Sequence, residues 1–201
     1  MCIRDRTGIY IGYKAGLNVT TVNNNIAIGA KALGGNTSTE FNSIGNVVIG
    51  AAAGEDMVGG AVYNTLMGQA SAENLTNGDY NSIYGFTAAT TLTTGVGNTV
   101  LGSQANVSAA GAVNQIAIGS GSLSHGDNIA VIGNSGTTAW HPAADNKTDL
   151  GSASYRFANL YTADIQLTNE GTEGNEVDGT TGNWSIQEGE DDLYLLNRKS
   201  G

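Results

Sequence analysis

The chain has 201 residues, 30 of them glycine and one proline, with 13% charged residues and a formal net charge of −10. So much glycine with so little charge excludes an ordinary globular core, and the negative balance argues against nucleic acid or an anionic membrane surface as partner. A single cysteine, Cys2, excludes an intrachain disulfide framework, and no apolar stretch approaches the ~18 residues of a membrane span.

The opening residues, Met1-Cys-Ile-Arg-Asp-Arg6, match nothing that follows and resemble translated read-through of a sequencing adapter. Residues 1–6 are therefore set apart as an expected assembly artefact. The start lacks the apolar stretch of a secretion signal. The text then begins mid-repeat at Thr7-Gly-Ile-Tyr-Ile-Gly12 and stops on Arg198-Lys-Ser-Gly201, so the chain reads as a fragment, truncated after its C-terminal part.

From residue 7 to 139 a short apolar run closes on a glycine eight times, at Gly12, Gly29, Gly50, Gly68, Gly85, Gly102, Gly119 and Gly133. The steps are 17, 21, 18, 17, 17, 17 and 14 residues. Three residues on stands a small side chain: Ala15, Ala32, Ala53, Ser71, Ala88, Ala105, Ser122 and Gly136. An asparagine usually precedes the run, as at Asn25, Asn64, Asn81 and Asn98. The 21-residue step is expected to bulge as a loop around Asn36-Thr-Ser-Thr-Glu40.

Runs this short, rich in Ile and Val and separated by turn residues, predict strands. A helix is excluded by two or three glycines per unit and by the absence of a 3.6-residue period. One unit suits one coil of a β-solenoid with two short strands and two turns. A lone coil buries too little apolar surface to offset the ordering of its backbone, so coils must stack and share a core. Eight of them would span roughly 38 Å at the spacing of paired strands. Stacking also explains the scarcity of charge, because equivalent positions face one another, whereas asparagine and threonine can form hydrogen-bonded ladders. The closing glycine is expected to supply a positive φ, and the small residue at +3 to mark a close approach.

These motifs resemble the head repeats of trimeric autotransporter adhesins, and more closely the repeats of bacteriophage tail fibres. Thr93-Thr-Gly-Val-Gly-Asn-Thr-Val-Leu-Gly-Ser-Gln-Ala105 matches the tail-fibre pattern nearly throughout. The resemblance implies an all-β, left-handed parallel β-roll of about eight coils, three chains side by side, over residues 7–139. The text changes at Trp140-His-Pro142, and residues 140–201 are expected to form a small β-rich unit. Within it, Thr148-Asp-Leu-Gly-Ser-Ala-Ser-Tyr-Arg-Phe-Ala-Asn-Leu-Tyr161 resembles a motif of distal tail-fibre segments. Ala163-Asp-Ile-Gln-Leu167 predicts a strand, and Asn183-Trp-Ser-Ile186 with Leu193-Tyr-Leu-Leu196 predicts a hairpin around an acidic turn. Residues 169–182 are expected to be a loose connection.

Candidate chemistry is sparse. Of 18 acidic residues 11 follow Trp140, and Glu188, Glu190, Asp191 and Asp192 cluster as a cation site would require, without the spacing of a calcium loop. His141 could gather on the axis of a trimer, against the simpler reading of an exposed histidine at a boundary. Glycan cleavage needs two carboxylates about 5–9.5 Å apart. Within the repeats Glu55-Asp56 is the only close pair; it is poorly placed if it lies in a strand, an objection that weakens if it lies in the turn after Ala53. Ice binding would need threonines in register on one face, which the repeats lack. The expectation is a non-enzymatic adhesive fibre without cofactor, located in a virion tail or alternatively as an adhesin head on a bacterial surface. A glycan-cleaving tailspike is the enzymatic alternative. Its partners would be further copies of itself, other tail proteins and a bacterial surface glycan or protein. Receptor contact falls to Asn36, Phe41, Tyr155, Tyr161 and Trp184, with the core of the C-terminal unit as the alternative role for the distal aromatics, Phe157 among them.

Overall fold

The computed structural model describes residues 8–17, 19, 24–34, 42–145, 147–170 and 174–199. The chain divides after Ala139 into two compact units.

The first unit is a parallel β-solenoid of eight strands in sequential order. They are β1 (Ile9–Ile11), β2 (Ile26–Ile28), β3 (Val47–Ile49), β4 (Thr65–Met67), β5 (Ser82–Tyr84), β6 (Thr99–Leu101), β7 (Ile116–Ile118) and β8 (Ala130–Ile132). Each pairs with the next coil's strand with no slip, so that Leu66 lies beside Ile83 and Ile83 beside Val100. The middle residue of each strand points inward, and Ala27, Val48, Leu66, Ile83, Val100 and Ala117 are fully buried. Val19, Met57, Leu75 and Leu92, each seven residues after a closing glycine, fill the opposite side of the core.

Among the described residues only one strand forms per coil, not the two expected from the sequence. Elsewhere the described coils meet through isolated bridges, Ile44 with Val62, Val96 with Val113 and Asn106 with Leu123. The reason lies in the backbone. Two residues after the closing glycines, Lys14, Lys31, Ala52, Ala70, Thr87 and Gln104 all take φ between +48° and +61°. The residue five before the glycine, such as Tyr63 or Tyr80, does the same. These left-handed residues turn the chain on either side of the strand, and among the described residues no second strand forms.

The closing glycines have φ from +99° to +145°, outside the range of ordinary side chains. Most of them also meet the next coil's backbone closely: a Cβ at Gly29 would stand 2.5 Å from the carbonyl oxygen of Gly50. Three residues on, the amide of Ala53 donates to the carbonyl of Gly50 at 3.3 Å, closing a tight turn. That turn aims the +3 side chain inward, and Ala32, Ala53, Ser71, Ala88, Ala105 and Ser122 are fully buried. Gly136 is exposed and does not share this environment.

The second unit is an antiparallel sheet of β9 (Asp164–Thr168), β10 (Asn183–Glu188) and β11 (Leu193–Asn197), with β10 central. The hairpin closes as the amide of Gly189 donates to the carbonyl of Asp192 at 2.7 Å. Within the stretch expected to be loose, residues 174–182 are tied by their own side chains. Asn175 Oδ1 accepts from the amides of Val177 and Asp178, and Asp178 Oδ1 accepts from the amide and hydroxyl of Thr180. Asparagine and aspartate close turns in this way, which composition alone does not reveal.

Candidate functional site: the amide ladder and the exposed face

A ladder of buried amides runs through the solenoid. Asn46, Asn64, Asn81 and Asn98 each donate Nδ2 to the Oδ1 of the asparagine one coil before, at 2.9–3.1 Å. The same nitrogens reach backbone carbonyls of Ala61, Gly78, Gly95 and Ala112 in the next coil. The ladder begins at Asn25, whose Nδ2 donates to the carbonyl of Ser43. Each Oδ1 from Asn25 to Asn81 also accepts the following asparagine's own backbone amide. A fully satisfied buried polar column fixes stacking register without leaving an orphaned donor. Four of its members, Asn25, Asn64, Asn81 and Asn98, were legible in the sequence; Asn46 and the terminal Gln115 were missed.

Gln115 ends the column. Its backbone amide donates to Asn98 Oδ1, but its longer side chain swings to Ser108 Oγ and to Asp127 Oδ1, both at 2.8 Å. The amide of Val113 and the Gln115 side chain together hold the Asp127 carboxyl below its usual value.

The outer face of the sheet carries an apolar column, beside which Thr65, Ser82 and Thr99 also face outward. The residue before each closing glycine is large and outward: Ile11, Ile28, Ile49, Met67, Tyr84, Leu101, Ile118 and Ile132. Leu101 is 47% exposed, in the middle of this column. At the rim of the face, Tyr63 and Tyr80 stack with ring centroids 5.5 Å apart.

The candidate site residues are scattered. Glu55 and Asp56 lie in the turn after Ala53, not in a strand, and the Glu55 carboxylate is engaged by Lys31 Nζ at 2.8 Å. That hydrogen bond and charge raise the Lys31 ammonium above its usual value. His141 is exposed in irregular chain, and Glu188, Glu190, Asp191 and Asp192 are exposed around the hairpin turn. Among the described residues no group of three or more His, Cys, Asp or Glu side chains is placed to hold a metal ion.

Tyr155, Phe157 and Tyr161 are exposed and do not form a core within the chain. Trp184 is 37% exposed and lines a shallow groove of about 700 Å³ with Leu167, Asn169, Asp178, Asn197 and Lys199. Asn36 and Phe41 lie outside the described residues. No helix among the described residues is long and apolar enough to cross a membrane.

No family model matches the chain, and no curated protein or solved structure matches it. The fold itself defines its class, a repeat β-solenoid, an architecture consistent with a structural or adhesive fibrous protein.

Proposed function

We propose that this chain is a segment of a homotrimeric, left-handed β-roll fibre whose work is attachment to a bacterial surface, as part of a phage tail. The observation that carries the reading is the uncovered apolar column from Ile11 to Ile132. It forms a strip roughly 34 Å long at the spacing of paired strands, longer than a monomer ordinarily leaves in water. Copies packed around an axis would cover it. The second unit needs company more acutely. Among its described residues only Ser185 is buried, while Leu193, Tyr194 and Leu195 are exposed. A sheet without a buried apolar side chain has no core of its own.

The rest of the reading follows from the resemblance of Thr148–Tyr161 to distal tail-fibre segments. Its test is adsorption of the labelled chain to a panel of bacterial strains. Saturable binding to some strains, competed by their own extracted surface glycan or abolished by protease treatment of the cells, is expected. Absence of saturable binding on every strain would overturn the adhesive reading. The gene neighbourhood separates the two settings, since a tail fibre sits among tail genes and an adhesin head continues into a stalk and membrane anchor.

A further inference from the structure

Asn77 is the one asparagine in the chain that is followed by glycine. The neighbour matters because glycine, with no Cβ, lets its own amide nitrogen close onto the preceding side chain, an approach that a branched residue blocks. The ladder asparagines are protected against it. Strand residues follow them, and the amides needed for attack are already given away, from Val47 to Asn64 O, Thr65 to Asn81 O and Ser82 to Asn98 O, each at 2.8 Å. Their side-chain amides are bonded as well.

Asn77 has neither protection. It is exposed, in irregular chain after Leu75. Its Oδ1 accepts from the Thr76 hydroxyl at 3.3 Å, a long bond. Among the described residues neither its Nδ2 nor the amide of Gly78 makes a hydrogen bond. Asp178, the one aspartate followed by glycine, shows the opposite arrangement. The amide of Gly179 donates to Asn175 O at 3.0 Å, and the carboxylate accepts from the amide and the hydroxyl of Thr180 at 2.9 and 2.7 Å. Those bonds hold the Asp178 carboxyl below its usual range, and an ionised carboxylate resists attack by nitrogen.

We propose that Asn77 and Gly78 form a site of self-modification, where the chain loses ammonia without an enzyme and acquires an isoaspartyl link. Hydroxide takes the proton of the Gly78 amide, and the nitrogen attacks Asn77 Cγ. A C–N bond forms there, the bond to Nδ2 breaks, and Nδ2 leaves as ammonia with a proton from water. Water then opens the cyclic imide at either carbonyl, which gives aspartate or isoaspartate. The net change is replacement of the side-chain NH2 by OH.

The place in the fold gives this chemistry its effect. Gly78 is buried, and its carbonyl accepts Asn64 Nδ2 at 2.8 Å. A Cβ on Gly78 would collide with the carbonyl oxygen of Gly95, which in turn accepts Asn81 Nδ2 at 2.9 Å. An isoaspartyl link lengthens the backbone by a methylene directly before Gly78 and so displaces both rungs of the ladder. An aspartyl link keeps the backbone length and only adds charge at an exposed position.

The test is incubation of the purified full chain at mildly alkaline pH, read by mass spectrometry of its peptides, beside Asn77→Gln and Asn77→Asp. Glutamine must close a larger ring, more slowly, and serves as the unmodified control. Conversion is expected at Asn77 before any other asparagine, with isoaspartate in excess over aspartate and no change at this peptide in Asn77→Gln. No conversion at Asn77, or earlier conversion elsewhere, would overturn the site. The isoaspartyl fraction is expected to melt lower than the fresh chain by about 4 °C or more, while fresh Asn77→Asp and aged Asn77→Gln keep the original melting temperature. Equal melting of the isoaspartyl fraction and the fresh chain, or the same drop in fresh Asn77→Asp, would overturn the link to the ladder. Neither readout depends on how many chains assemble or on what the fibre binds.

Discussion

Gln115 Nε2 donates to Asp127 Oδ1 at 2.8 Å, and with that bond the buried amide ladder passes from the core to an exposed carboxylate. The same oxygen accepts the backbone amide of Val113 at 2.9 Å, so one aspartate closes both the ladder and the neighbouring turn.

Because these bonds favour the ionised form, the folded-state pKa of Asp127 lies below its unfolded value of about 3.9. The sign follows from linkage: the stability it contributes is present above that unfolded value and is lost as pH falls through the folded one. Asp127→Asn is expected to lower the melting temperature at neutral pH and to flatten the acid limb of a melting-temperature profile. An unchanged acid limb would contradict the role given to this carboxylate.

Asn81 is fully buried, and its side chain both donates to Asn64 Oδ1 and Gly95 O and accepts from the backbone amide and side chain of Asn98. Asn81→Ala removes all four bonds and leaves buried partners unmatched, at a cost of about 3 kcal/mol or more. Denaturant unfolding reads this directly, and a cost comparable with an exposed Asn→Ala change would mean that water replaces the ladder.

Ser71 sits in the +3 column between Ala53 and Ala88, fully buried, with a hydroxyl oxygen that has no hydrogen-bond partner. Ser71→Ala should therefore stabilise the chain by about 1 kcal/mol, a reversal of the usual sign for a core substitution. A loss of stability in the melting curve would show that the hydroxyl is satisfied in solution.

Gly85 and Gly119 hold the same place in the repeat but not the same space. A Cβ at Gly85 would stand 2.5 Å from the carbonyl carbon of Gly102, whereas at Gly119 the nearest atom is Gly133 Cα at 3.3 Å. Gly85→Ala is expected to cost about 3 kcal/mol or more and Gly119→Ala distinctly less, since only strain in φ remains there. Equal costs in a thermal melt would place the constraint in the dihedral alone.

The parallel solenoid was legible because its period brings equivalent residues into line: the glycine, the inward strand residue and the small +3 residue each recur. The hairpin from Asn183 to Asn197 was legible from alternation around the acidic turn. The single strand per coil was not. Left-handed conformations are usually announced by glycine or asparagine, and here Lys31, Ala70 and Gln104 adopt them, with Gly121 as the one described coil to show the signal at that position. Asn46 was hidden by the irregular 21-residue step before it, and Gln115 because it is not an asparagine. The tyrosine stack was invisible because pairing of Tyr63 with Tyr80 depends on a register that only the folded coils supply. The distal aromatics look like core in the sequence because apolar rings usually are, yet the single chain leaves them exposed.

Sedimentation of the full chain beside its Leu101→Glu variant tests the central claim most directly, because Leu101 lies mid-column on the apolar face, 47% exposed, and makes none of the ladder's hydrogen bonds. The account predicts three times the chain mass for the unaltered protein and a shift toward the single-chain mass for the variant. A folded single chain in both would contradict it.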